Sequence, residues 1–188
     1  MKRRAVMLDR DGTLIKEAGY LDQLDRIELY PYTIDALRML NRGGFAVIVA
    51  TNQSGVARGL FDESFVAETH RHLDALLATG GARIDGWYHC PHHPKGIRDE
   101  YRQECSCRKP LPGLLQRAAA DLDLDLPRSF AVGDRWHDVE AATAAGAKGI
   151  LVQTGYGHMQ AASRVPGVVP AARVENLIEA VSWILRQP

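Results

Sequence analysis

Three short runs of this chain are apolar without interruption, and each ends on a polar residue. Ala5–Leu8 stops at Asp9, Phe45–Ala50 stops at Thr51-Asn52, and Phe130–Val132 stops at Gly133-Asp134. A strand that alternated apolar and polar residues would have one wet face. Uninterrupted apolar runs instead predict strands buried on both faces, which means a parallel sheet covered by helices. The fold class expected is therefore α/β, a Rossmann-like layered fold with a mainly parallel central sheet. In such open sheets ligands bind beyond the carboxyl ends of the strands. Asp9, Thr51 and Asp134 are thus predicted to meet in one crevice although they lie far apart in sequence.

The intervening segments carry helical spacing. Pro31 opens a stretch with Ile34, Leu37 and Leu40 in register, stopped by Gly43-Gly44. Asp62 sits as an N-cap before a helix through Phe65, Leu73, Leu76 and Leu77, which Gly80-Gly81 closes. Ile84–His89 reads as a weaker strand and Pro112–Asp121 as a helix. Val139–Ala145 is expected to be a helix ended by Gly146, Gly149–Val152 a last apolar strand, and Arg173–Arg186 a terminal amphipathic helix. Val165–Pro170 is loop-like. No repeat, low-complexity tract or long linker interrupts the 188 residues, so a single domain over 1–188 is expected.

Composition limits the partners. Lys and Arg number 23 and Asp and Glu also 23, so the formal net charge is zero and no broad electrostatic footprint for nucleic acid or anionic membrane is expected. No apolar run approaches the roughly 18 residues of a membrane span. Lys2-Arg3-Arg4 could open a secretory signal, but the apolar stretch behind it ends at Asp9, too early for a signal core of roughly 7–15 residues. Only three cysteines occur, an odd number that suits no disulfide framework. A cytoplasmic protein, monomeric and acting on a small molecule, is the expectation. The glycosylation match Asn52-Gln53-Ser54 then carries no meaning.

The acidic motifs carry the chemistry. In Asp9-Arg10-Asp11-Gly12-Thr13 the two carboxylates stand two apart, so they can face one site while the chain stays extended. Gly12 lets the backbone turn away sharply. Clustered carboxylates at a buried strand end repel one another and demand a hard cation, Mg2+ above all. Asp134 offers a further oxygen ligand. Asp138, four residues on, can orient Arg135 or nearby backbone. The Thr51 hydroxyl and the Asn52 backbone amide can hold phosphate oxygens, with Lys109 supplying positive charge.

A second group lies between the predicted third strand and the following helix. Cys90-Pro91-His92 and Cys105-Ser106-Cys107 hold every cysteine in the chain. Three thiols and an imidazole match a closed, tetrahedral structural zinc set with no vacant position. His93 is an alternative to His92 in that set.

Taken together, Asp9-x-Asp11-Gly12-Thr13, Thr51-Asn52, Lys109 and Gly133-Asp134 through Asp138 resemble the haloacid dehalogenase superfamily of phosphatases, in the family's order across most of the chain. The resemblance implies that Asp9 is a nucleophile forming an aspartyl-phosphate and that Asp11 is the general acid and base. It further implies that Asp9, Asp11 (through its backbone carbonyl) and Asp134 bind Mg2+, and that Thr51 and Lys109 stabilise the phosphoryl group. Cys90-Pro91-His92-His93-Pro94 and Cys105-x-Cys107-Arg108-Lys109-Pro110 are similar to the zinc loop of a group within it, related to the histidinol-phosphate phosphatases, that acts on phosphorylated sugars. That match favours His92 over His93. It also implies a substrate site lined by Glu17, Ala18, Gly19, Tyr20, Thr51, Asn52, Gln53, Ser54, Arg108, Lys109 and Arg135.

The activity so implied is hydrolysis of a heptose bisphosphate at its primary phosphate, with histidinol-phosphate phosphatase as the nearest alternative. A phosphotransferase and a non-catalytic metal-stabilised module are more distant ones. Too few residues follow Thr13 before the first predicted helix to form a cap domain there, so specificity is expected to rest on loops. His70 and His72 read as solvated or partly packed helix residues, while His137 and His158 carry no assigned role. Trp87, Trp136 and Trp183 read as packing residues.

Overall fold

The computed structural model describes residues 2–163 and 165–188. Six strands form one sheet in the order β3-β2-β1-β4-β5-β6. They are β1 (Ala5–Leu8), β2 (Ala46–Asn52), β3 (Gly86–Cys90), β4 (Phe130–Gly133), β5 (Lys148–Val152) and β6 (Ala172–Val174). Every pairing between them is parallel. The helices are α1 (Thr33–Arg42), α2 (Glu63–Thr79), α3 (Gly113–Asp121), α4 (Trp136–Ala145), α5 (Gly157–Ala161) and α6 (Leu177–Ile184).

The uninterrupted runs are central strands because both of their faces are covered. Val6 and Leu8 point into a layer with Leu37, Leu40, Leu73 and Leu77 of α1 and α2, joined by Val181 and Ile184 of α6. Ala5 and Met7, alternating with them, face Leu114, Leu115 and Ala118 of α3 together with Ala141 and Ala142 of α4. All four residues of β1 are buried, so every side chain of the central strand leaves water. At about 25 cal/mol per Å2 of apolar surface removed from water, that burial is the main force holding the layers.

The carboxyl-terminal end of the chain differs from the sequence expectation. Residues 172–174 form a sixth strand at the sheet edge, and α6 begins only at Leu177, after an N-cap at Asn176. The Asn176 side chain accepts from the Glu179 N–H at 3.2 Å. Gly149–Val152 is therefore not the last strand, and Arg173 lies in β6 rather than opening a helix. A strand of three residues with an exposed middle position carries no long apolar run by which to recognise it. The expected helix start at Asp62 stands, since α2 begins at Glu63. However, the Asp62 carboxylate makes no capping bond and pairs instead with Arg98.

His70 also differs. It is not solvated but 7 % exposed, stacked on Trp87 with ring centroids 4.4 Å apart. The residue faces the sheet because it shares the inner stripe of α2 with Val66, Leu73 and Leu77. Among the described residues no helix is long and apolar enough to cross a membrane.

Candidate active site and metal cluster

The site is built at the carboxyl ends of β1, β2 and β4. Asp9 directly follows β1, and its N–H donates to the Val132 carbonyl of β4 at 2.9 Å. Ladder bonding thus fixes the backbone of Asp9 up to the point where its side chain leaves the sheet. The chain turns away at Gly12, which has φ +77°. A Cβ there would stand 2.3 Å from Asp134 Oδ2, so both conformation and space demand glycine. This close approach lets Asp134, following β4, reach the end of β1.

Asp9, Asp134 and Asp138 bring carboxylate oxygens within 4.8 Å of one another. Asp134 is fully buried. Its Oδ2 accepts from the Tyr156 N–H at 2.7 Å, while Oδ1 is buried with no hydrogen-bond partner. Burial, then the neighbouring Asp9 and Asp138, push its carboxyl up to about 8. Burial likewise raises Asp9 to about 6, against the pull of Lys109. An unpartnered buried oxygen beside two crowded carboxylates has the chemistry of a hard-cation site, and oxygen ligands of this kind suit Mg2+.

Lys109 is the counter-charge. It is 4 % exposed, and its ammonium donates to the Ala50 carbonyl and to Asp138 Oδ1, each at 2.6 Å, with Asp9 Oδ1 at 3.1 Å. Burial opposes the charged amine, but Asp138 and Asp9 outweigh it and the pKa is raised. The backbone of Lys109 is pinned by the Asn52 amide. Asn52 Oδ1 accepts from the Lys109 N–H at 3.1 Å, and Asn52 Nδ2 donates to the Lys109 carbonyl at 3.0 Å. Asp138, in the first turn of α4, also accepts from the Arg135 N–H at 3.1 Å through Oδ2.

The carboxylate of Asp11 turns away from this cluster. It accepts from Arg10 Nε and Nη2, each at 3.1 Å, and from Gln53 Nε2 at 2.9 Å. Asp9 and Asp11 nonetheless border one cleft of about 330 Å3, together with Glu17, Gly19, Tyr20, Thr51–Ser54, Arg108, Lys109 and Arg135. Ala18 is the one residue of the predicted substrate set absent from that lining. Glu17 accepts from the Gly19 N–H at 2.7 Å; burial and then Asp11 raise its pKa. Arg135 lies over the Tyr156 ring at 3.8 Å.

Sequence reasoning missed Arg58 and Tyr156, which also border the cleft; His93, read only as an alternative zinc ligand, and His137, left without a role, do so too. Arg58 Nη2 stands 3.2 Å from His93 Nε2. Nothing in the local pattern marks Arg58; only the return of its loop over the cleft does.

The cysteines gather as well. The Sγ atoms of Cys90, Cys105 and Cys107 lie 3.1–3.5 Å apart, and His92 Nδ1 is 3.4 Å from Cys107 and 3.8 Å from Cys90. Bonds of about 2.3 Å around a tetrahedral zinc would put sulfur atoms about 3.7 Å apart, so a small outward adjustment would admit the ion. His93 is directed elsewhere, with Nδ1 accepting from the Lys95 N–H at 3.0 Å. The Cys90 thiol is pushed up and that of Cys107 is lowered to about 5, chiefly by the hydrogen bond between them.

A family model described as HAD-hydrolase-like matches residues 106–180. The D-glycero-beta-D-manno-heptose-1,7-bisphosphate 7-phosphatase of Escherichia coli K12 is 46% identical over 153 residues, covering 80% of both chains. That of Pasteurella multocida is 42% identical over 154 residues, covering 81% of this chain and 83% of its own. A crystal structure of the D,D-heptose 1,7-bisphosphate phosphatase of B. bronchiseptica, complexed with magnesium and phosphate, superposes with a TM-score of 0.87 at 35% identity, covering 98% of this chain and 99% of the other. On sequence and fold alike, the chain belongs to the heptose-bisphosphate phosphatases of the haloacid dehalogenase superfamily.

Proposed function

We propose that this protein hydrolyses the 7-phosphate of D-glycero-beta-D-manno-heptose 1,7-bisphosphate, releasing heptose 1-phosphate and inorganic phosphate. The observation that carries the reading is the Asp9 carboxylate, aimed into the cleft from the end of β1 with Lys109 at 3.1 Å and the Asp134 carboxylate beside it. Asp9 Oδ attacks phosphorus in line with the departing sugar oxygen, and an aspartyl-phosphate forms as the ester P–O bond breaks. Asp11 gives its proton to that oxygen, then takes one from the water that cleaves the acyl phosphate. Thr51 and Lys109 hold the phosphoryl oxygens. Asp9, Asp134 and the Asp11 carbonyl would bind Mg2+, the ion that offsets the repulsion between a carboxylate and a phosphate dianion.

The outer rim suits the second phosphate of a bisphosphate. Arg58 and Arg108 both border the cleft, and burial first, then the nearby Arg58, disfavour the charge on Arg108. An anionic group relieves that repulsion, whereas the cationic amine of histidinol phosphate adds to it. The Cys90, His92, Cys105 and Cys107 set is read as a structural zinc site that fixes the chain leading into Arg108 and Lys109.

Phosphate release should be measured with both anomers of heptose 1,7-bisphosphate, fructose 1,6-bisphosphate and histidinol phosphate, with and without Mg2+. The expected result is Mg2+-dependent turnover that is fastest on the beta heptose bisphosphate. Faster hydrolysis of histidinol phosphate would overturn the substrate assignment.

A further inference from the structure

Arg10 lies between the two acidic residues of the first motif and is 2 % exposed, the largest of the fully buried side chains. Burying a guanidinium is costly unless its hydrogen bonds and charge are met. Here Nε and Nη2 grip the two oxygens of Asp11 in a fork, and Nη2 also donates to Gln53 Oε1 at 3.0 Å. Gln53, itself 5 % exposed, completes the ring. Its Nε2 donates to Asp11 Oδ2 and to Thr51 Oγ1, each at 2.9 Å. Both hydrogens of that amide, and its oxygen, are therefore spent inside the protein rather than offered to a ligand.

We propose that Arg10 and Gln53 are positioning residues: a buried guanidinium and amide that together fix where the Asp11 carboxyl stands relative to the departing oxygen. The inference rests on the reading of Asp11 as general acid. In that step the proton on an Asp11 oxygen passes to the sugar oxygen while the ester P–O bond breaks and the Asp9–phosphorus bond forms. Transfer of that proton needs the two oxygens within hydrogen-bond reach as the bond opens. A side chain with several rotamers would meet this condition only part of the time. The two-point fork removes that freedom, since the planar guanidinium accepts a carboxylate in one plane only. Gln53 also ties the arrangement to Thr51, so the acid and the phosphoryl cradle share one hydrogen-bonded frame.

The role predicts dependence on the leaving group. An alkyl phosphate departs as a strongly basic alkoxide and needs the proton, whereas p-nitrophenyl phosphate departs as a stable phenolate and does not. Release of alcohol or p-nitrophenol in a single turnover should be followed for the Mg2+-loaded full chain and for Arg10→Lys, Gln53→Leu and Asp11→Asn. Arg10→Lys keeps the charge but loses the fork, and Gln53→Leu keeps the volume but loses the amide.

The expected result for the first two variants is a slowing on the sugar phosphate at least about 10-fold greater than on p-nitrophenyl phosphate, a part of the roughly 100–10,000-fold that a general acid contributes in full. Equal slowing of both substrates, or of neither, in Arg10→Lys and Gln53→Leu overturns the positioning role. Asp11→Asn separates this from the parent reading. If it discriminates between leaving groups while the other two do not, the acid stands and the positioning inference falls. If Asp11→Asn itself slows both substrates alike, the acid assignment falls.

Discussion

At the scale of single residues, the site is a balance of buried charges in which the consequence of a change depends on which charge is left unmatched. Lys109 has three N–H donors and three acceptors, namely the Ala50 carbonyl, Asp138 and Asp9. Replacing it with Met leaves two carboxylates buried without a cation. The expected cost is about 3–5 kcal/mol of stability, the usual result of removing one partner of a buried pair, visible as a lower urea midpoint. Turnover should fall by at least about 100-fold with it, as when a transition-state charge donor is lost. Asp9→Asn should behave differently. It removes the proposed nucleophile but also one member of a crowded carboxylate group, so hydrolysis should disappear while the circular dichroism spectrum and melting temperature stay near those of the parent. Phosphate release persisting at the parent rate would exclude Asp9 as the attacking group.

At the scale of elements, the segment between β3 and α3 carries the second argument. Cys90 ends β3, Cys107 lies two residues before Lys109, and the Gly113 N–H at the start of α3 donates to the Ser106 carbonyl at 3.0 Å. The cluster thus ties a strand end to a helix start, and Lys109 hangs between them. Chelation is expected to release about one zinc per chain, since a closed Cys3His set binds one ion. The metal-free protein should melt at a lower temperature and lose kcat/KM even in saturating Mg2+. A zinc-free preparation with unchanged melting and unchanged selectivity would remove the anchoring role. The three cysteines and His92 were legible as a set because their chemistry is rare and their positions close. The support from Asn52 was not, since its amide reaches Lys109 from a different element, β2, 57 residues away.

At the scale of the whole molecule, acid stability depends on how the helical layer covers the sheet. His70 of α2 is buried against Trp87 of β3, with His89 and Arg10 as its charged or titratable neighbours. Burial, then Arg10 and His89, lower its pKa to about 3. The unfolded chain therefore binds a proton near pH 6.5 that the folded chain refuses until about pH 3. The stability is fully present above pH 6.5 and is lost as the pH falls below it. Between pH 7 and pH 5 the His70 contribution should fall by about 2 kcal/mol, from 1.36 kcal/mol per pH unit over the window below the unfolded value, while the raised carboxyls of Asp9 and Asp134 move stability the other way. Urea unfolding of the parent and of His70→Phe, which keeps the stacked ring, measures it as the difference between their two pH dependences. Identical pH dependences in the two proteins would take the role away from His70.

The sequence by itself determined the layered parallel sheet and the strand ends on which the acids stand. It also determined the composition of the thiol cluster, because a concentrated set of thiols imposes its outcome locally, whereas the carboxylate group gathers Asp138, read from sequence only as orienting Arg135 or nearby backbone, beside Asp9 and Asp134. It could not give the edge strand Ala172–Val174, whose pairing comes from β5 rather than from its own residues. Nor could it show which partner each buried polar group takes. The Arg10 fork, the inward Gln53 and the Arg58 rim exist because segments distant in the chain close on one another. Once water is excluded there, every donor and acceptor must find its match inside the protein. Periodicity reports which face of an element is buried; only packing decides what a buried charge will meet.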